Sequence, residues 1–275
     1  MIIEKKSEVT DRIKKLREKV LSTKPSVCTE RARFYTRVYM ENEDQPVIIK
    51  RARSLEKTLR EMTIFIDEGE LIIGNQSSQH RAAPIFPEYA VDWLPEEMDE
   101  LDKRPGDAFY ITAAHKRELT EIARWWKGKV LWDRGRALMS QELRDLQDSA
   151  IIKATGNLTS GDAHIAVDFY KILSVGLNGY LDEIDQYHAQ VKRYTREGVK
   201  KDHFYTALST SVKAFQSFIQ RFSKLAGSLA RKEEDPQRIQ ELLLMSELEW
   251  CRSCQDSPAN PVSLTDRVHQ HLHLH

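Results

Sequence analysis

The sequence predicts a mainly α protein. Apolar residues recur at three- and four-residue spacing along most of the chain, and no strand-rich region interrupts them. At 275 residues the chain is long enough to bury a substantial core in one or two domains. The clearest signal lies at residues 202–230, where Phe204, Leu208, Val212, Phe215, Ile219, Phe222, Leu225 and Leu229 form one long stripe. That is the pattern of ordinary helix packing. No internal repeat is found.

In order, residues 7–20 read as a short amphipathic helix through Val9, Ile13, Leu16 and Val20, ended by Lys24-Pro25. A second helix starts near Thr29, capped by Thr29 or Ser26 with Glu30 in its first turn, and buries Ala32, Tyr35, Val38 and Tyr39. Residues 47–62 give a third, with Val47, Ala52, Leu55, Leu59 and Met62 inward and basic residues on the solvated side.

From residue 64 to 109 helical periodicity then fails. Pro84, Pro87 and Pro95 fix an extended path there, and a loop that long in a compact protein is usually functional or clamped against something larger.

Residues 112–126 return to helix, with Thr112 as cap and Leu119, Ile122 and Trp126 on one side. Trp125, Trp126 and Trp132 cluster around Gly128, which suits packing better than ligand stacking. Residues 140–154 read as a helix stopped by Gly156. After an irregular stretch, helix resumes at the cap Asp168 and runs through Phe169, Ile172, Leu173, Leu177 and Leu181. Gly176 and Gly179 inside it cost about 1 kcal/mol each against alanine, so close helix-to-backbone contact is expected there. Pro236 separates the long stripe from a last helix over residues 237–250.

Charged residues make up 31% of the chain and balance to a net charge of zero. That leaves no field to attract nucleic acid or an anionic membrane. No apolar run reaches the ~18 residues of a membrane span, and the first twenty residues are too charged for a signal peptide. Three cysteines make no disulfide framework. A soluble, cytoplasmic protein is expected.

Few residues could carry chemistry. His164 sits in the Gly/Thr/Ser-rich stretch 155–166 and not on an apolar helical face. It reads either as a structurally satisfied histidine or as one that holds or protonates a substrate hydroxyl. Asp162 could orient it or bond the loop backbone, and Asp168 is most simply a helix cap. No Walker loop, GxGxxG or HExxH motif occurs. Cys251 and Cys254, then fourteen residues, then His269 and His273 formally fit a zinc-finger spacing, with His271 and His275 as a second pair. The insert has two prolines and no aromatic to form a finger core, so no metal site is expected.

Several motifs occur in a telling order: CTERARFYT (residues 28–36), GELIIGNQ, RAAPIFPEY, KRPGDAF and TSGDAHIAVDF (residues 159–169). Together they resemble the N-terminal region of the glycyl radical enzymes, the pyruvate formate-lyase-like (formate acetyltransferase-like) family, and its dehydratase-type members above all. The likeness extends over residues 8–250. It implies the helical N-terminal part of a ten-stranded α/β barrel, lacking most of the barrel.

In that family an S-adenosylmethionine/iron-sulfur activase installs a glycyl radical. A cysteine thiyl then abstracts hydrogen from substrate, and C–O, C–N or C–C cleavage follows. The likeness places His164 against a substrate hydroxyl, although Ala163 stands where many members carry glycine. It also implies that no catalytic residue lies in this chain. Cys28, Cys251 and Cys254 are not in a Gly-Cys-x-Glu loop, and no Arg-Val-x-Gly-Tyr motif is present.

The expected reading is an N-terminal fragment of an anaerobic lyase or dehydratase, inactive alone. It is either an orphaned fragment or one half of a split enzyme whose second polypeptide carries those loops, with the activase as a partner of the intact enzyme. Residues 1–250 form the family portion. Residues 251–275 are an atypical tail, the mark of a truncated or frame-altered product. The rival reading is a non-catalytic helical scaffold.

Overall fold

The computed structural model describes residues 10–152 and 166–253, with side chains through residue 247. The chain divides into two compact units. One comprises Met1–Thr36, Met62–Ser160 and Glu234–Glu241; the other comprises Arg37–Glu61, Gly161–Glu233 and Leu242–His275. The described residues are mainly helical, and none of their helices is long and apolar enough to cross a membrane.

The first unit opens with α1 (Asp11–Ser22), whose Thr10 hydroxyl caps the Ile13 N–H. Its expected inward face is not buried: Ile13 and Val20 are exposed. Lys24-Pro25 leads into β1 (Ser26–Cys28), which pairs in parallel with β2 (Ala82–Pro84) in the register Ser26↔Ala82. Ser26 also bridges Tyr110. These three-residue strands were not foreseen, because neither is long enough to show a period. Pro84 sits at the end of β2, where a missing donor is tolerated.

Helix α2 (Glu30–Glu41) buries Ala32, Tyr35, Val38 and Tyr39 as expected. The long irregular stretch contains the single-turn α4 (Trp93–Glu97), and α5 (Ala113–Trp126) follows with the Thr112 hydroxyl capping the His115 N–H. Trp126 is the aromatic centre of this core, 2% exposed, its indole N–H donating to the Thr36 hydroxyl at 2.8 Å. Trp125 stands edge-on to it, and Trp132 is half-buried.

The unforeseen α6 (Leu131–Ala137) is followed by α7 (Gln141–Asp148) on a Ser140 cap. Helix α7 ends earlier than expected. Ala150 takes a left-handed φ of 58°, and the Ile151 and Ile152 N–H groups turn back to the Leu146 carbonyl.

In the second unit α3 (Val47–Glu61) packs along α9 (Arg196–Ala230), and α8 (Phe169–Ala189) lies against α9 as well. Along α9 most of the buried residues are small. Ile49 and Ala52 meet Ala207, and Ala214, Ala226 and Ala230 continue the buried line along α9. Of the expected stripe Ile219 and Phe222 are buried, whereas Phe204 and Phe215 are exposed. Small residues let two helix backbones approach, which rotates the buried face away from the larger side chains.

Gly176 explains itself differently from the expectation. At φ 64° and ψ −179° it is a kink dividing α8 in two, a backbone geometry that L side chains rarely adopt. The kink brings Val175 so close to Gly179 that a methyl there would stand 2.8 Å from the Val175 Cβ. Helix α10 (Pro236–Ser253) begins on Pro236 and bonds α9 through Ser223 to the Ser246 carbonyl.

Candidate functional site

Three of the sequence motifs converge in the first unit. Main-chain bonds from Ser26 N to Arg81 O (3.1 Å), Val27 N to Tyr110 O (3.0 Å) and Tyr110 N to Pro25 O (2.8 Å) lay the segments beside one another. Above them is a cleft of about 730 Å³, lined by Gln76 from the first motif, Arg81–Pro84 from the second and Arg104–Phe109 from the third, with Lys24 at its edge.

The cleft is cationic. Lys24, Arg81 and Arg104 face a single lining carboxylate, Asp107. Arg104 is paired with Glu97, Arg81 donates to the Leu21 and Thr23 carbonyls, and Lys24 stands 4.3 Å over the Tyr110 ring. No cysteine, serine or histidine is among the described lining residues. This geometry can hold a polar or anionic group; it offers no nucleophile.

A largely buried ion pair joins two of the motifs. Arg31, from CTERARFYT, grips Glu88, from RAAPIFPEY, through Nη2 at 2.5 Å and Nη1 at 3.1 Å. Its guanidinium stacks 3.8 Å from the ring centres of both Tyr35 and Phe86. Burial pushes the Tyr35 phenol up, partly offset by the Arg31 charge. The backbone beyond Glu88 then registers α6, with Leu131 N–H on the Glu88 carbonyl and Trp132 N–H on that of Tyr89. The two motifs are thus the halves of one clamp.

The turn at Asp67-Glu68-Gly69-Glu70 forms a second polar centre. The Asp67 N–H donates to Glu70 Oε2 at 2.8 Å, and Asp67 binds Lys19 through Oδ1 at 2.5 Å and His80 through Oδ2. Arg238 donates to the Asp67 and Glu70 carbonyls at 2.9 and 2.7 Å, and to Glu241, which also takes Arg12. Partial burial works to raise the Asp67 carboxyl, but hydrogen bonds and charge from Lys19 and His80 outweigh it and hold the group below the usual carboxylate range. Neither the Asp67 and Glu70 spacing nor His80 is singled out by the sequence.

In the second unit His188 and Arg193 share the Asp202 carboxylate, at 2.7 and 2.5 Å, and so clasp the α8–α9 connection.

Of the residues named for the site, Asp168, expected in a supporting role or as a helix cap, caps α8, accepting from the Lys171 N–H at 2.9 Å, and is exposed. His164 and Asp162 lie outside the described residues, as do the side chains of Cys251 and Cys254 and the histidines from His269 to His275. The described geometry therefore brings none of these together.

A mainly helical chain with three of the sequence motifs lining one cleft corresponds to the N-terminal portion of the glycyl radical class. The family model described as PFL-like, Pyruvate formate lyase-like, matches residues 6–262, and the chain belongs to that family.

It is 41% identical over 240 residues to the probable dehydratase YbiW of Escherichia coli strain K12, covering 87% of this chain and 30% of that protein. The glycerol-bound B12-independent glycerol dehydratase from Clostridium butyricum superposes with a TM-score of 0.86 at 29% identity, over 94% of this chain and 33% of that one. A glycyl radical enzyme from Archaeoglobus fulgidus gives a TM-score of 0.80 at 28% identity, over 96% and 34%. The chain thus spans about a third of the length of the relatives it matches.

Proposed function

We propose that this chain is the N-terminal part of a glycyl radical dehydratase or lyase that cleaves a C–O or C–C bond of a small polar substrate in the intact enzyme, and that it is inactive alone. Similarity to a glycerol dehydratase and to a probable dehydratase supports a hydroxylated substrate. His164 is assigned to the substrate hydroxyl, with Asp162 supporting it and Asp168 holding the start of the helix that follows. The residues present do not include the family's cysteine loop or radical glycine motif, so no radical step is assigned to them. Those steps belong to the remainder of the enzyme, charged by an S-adenosylmethionine-dependent activase.

One observation carries the division of labour. The helix that follows His164 presents Phe169, Tyr170 and Leu173 to solvent at 68%, 85% and 60% exposure. An apolar patch of that kind marks a surface made to be covered, and here the covering surface is assigned to the rest of the enzyme. The same patch would serve a helical scaffold, so the test must read chemistry.

Anaerobic co-expression with the remaining two-thirds of the enzyme and its activase should give turnover of a small polyol. His164→Gln should lower kcat/KM about 10²–10⁴-fold, the range for a lost acid–base group. Turnover unchanged by His164→Gln would remove that assignment. Stable assembly without turnover of any polyol, amine or ketoacid would favour the scaffold.

A further inference from the structure

We infer that Asp67, Glu70 and His80 form a divalent-cation site, taking zinc or a metal of similar preference through one oxygen of each carboxylate and a ring nitrogen of His80. Their ligand atoms lie within 4.8 Å of one another. A tetrahedral zinc with bonds of about 2.0–2.2 Å separates its ligands by roughly 3.3–3.5 Å, so His80 and Asp67, now in direct hydrogen-bond contact, part to admit the ion and Glu70 turns its carboxylate onto it. Three protein ligands of mixed N/O type leave one position for water, and all three residues are half-buried, open to an entering ion.

The scaffold is already set. A single guanidinium, Arg238, pins both turn carbonyls, which fixes the Asp67 and Glu70 main chain. Phe65 stands edge-on to the His80 ring at 4.9 Å and orients it. Glu70 spends only Oε2 on the Asp67 N–H. Lys19 and His80 take different oxygens of Asp67, so the ammonium need not leave for a metal to replace the proton shared with His80.

Lys19 is a cation already drawn to this carboxylate, and it marks where positive charge is favoured. Its presence also moderates affinity for a second one. A second described His–Asp pair makes a contrast: His188 Nε2 is faced by the Arg193 guanidinium at 3.0 Å, and among the described residues no three-ligand group forms around it.

The test is calorimetric titration of Zn²⁺ into the full-length chain carrying serine at Cys251 and Cys254 and alanine at His269, His271, His273 and His275, which removes competing ligands. One equivalent should bind. His80→Gln, which can still bond Asp67, should weaken binding at least tenfold, and Lys19→Met should tighten it several-fold. No binding, an affinity unmoved by His80→Gln, or one not raised by Lys19→Met overturns the site. If His80→Gln unfolds, Glu70→Gln keeps an oxygen for the Asp67 N–H and carries the same test, again with at least tenfold weakening expected and an unmoved affinity contradicting the assignment.

Discussion

Glu241 shows how much one side chain can organise. It is 2% exposed and takes Arg12 at 2.5 Å and Arg238 at 2.9 Å, while Arg238 in turn holds two carbonyls of the Asp67 turn. Removing one partner of a buried ion pair leaves an uncompensated charge, typically at a loss of 3–5 kcal/mol. Glu241→Gln should therefore lower stability by about that much, read as a reduced urea midpoint at unchanged slope.

Burial acts to raise the Glu241 carboxyl, but the two guanidiniums prevail and hold it below its ordinary value. A group depressed in the folded state contributes stability that is full above the unfolded pKa of about 4.3. That contribution is lost as pH falls through the lower folded value. Melting temperature should thus begin to drop below about pH 4.3, and this part of the acid sensitivity should vanish in Glu241→Gln.

At the scale of the element, the connection between α8 and α9 is the tightest point. A methyl on Gly198 would stand 1.8 Å from the Lys192 carbonyl oxygen. Gly198→Ala should force the loop away, at about 1–3 kcal/mol or more, and should loosen the clasp of His188 and Arg193 on Asp202. Faster amide hydrogen exchange confined to residues 188–200 checks this; unchanged exchange and stability would show that the loop yields freely.

Elements whose ends are decided locally were legible in the sequence. Thr112 and Asp168 cap α5 and α8 as read, because a cap is a contact between residues three apart. Features decided by distant partners were not. The β1–β2 pairing joins residues more than fifty positions apart. The buried face of α9 follows alanines that admit α3, and α7 stops where Ala150 turns left-handed. The same division applies to the site. The motifs were readable, but the Arg31–Glu88 clamp and the meeting of His80 with Asp67 exist only once the chain is folded.

For the molecule as a whole, family membership and the exposed start of α8 point the same way. Phe169, Tyr170 and Leu173 touch solvent, so replacing one of them should not disturb the isolated chain. Leu173→Lys is expected to change its stability by no more than about 0.5 kcal/mol, as at an ordinary surface position. It should nonetheless prevent association with a separately expressed remainder of the enzyme, seen as loss of co-elution in size-exclusion chromatography. Destabilisation of several kcal/mol in the isolated chain would instead place Leu173 in this chain's own core.

The central claim is that this polypeptide completes a glycyl radical enzyme. Electron paramagnetic resonance of this chain, assembled with the remaining two-thirds of the enzyme and anaerobically activated, tests it most directly. An oxygen-sensitive doublet should appear, with polyol turnover that requires this chain. A doublet with full turnover in the chain's absence, or no doublet in its presence, would contradict the account.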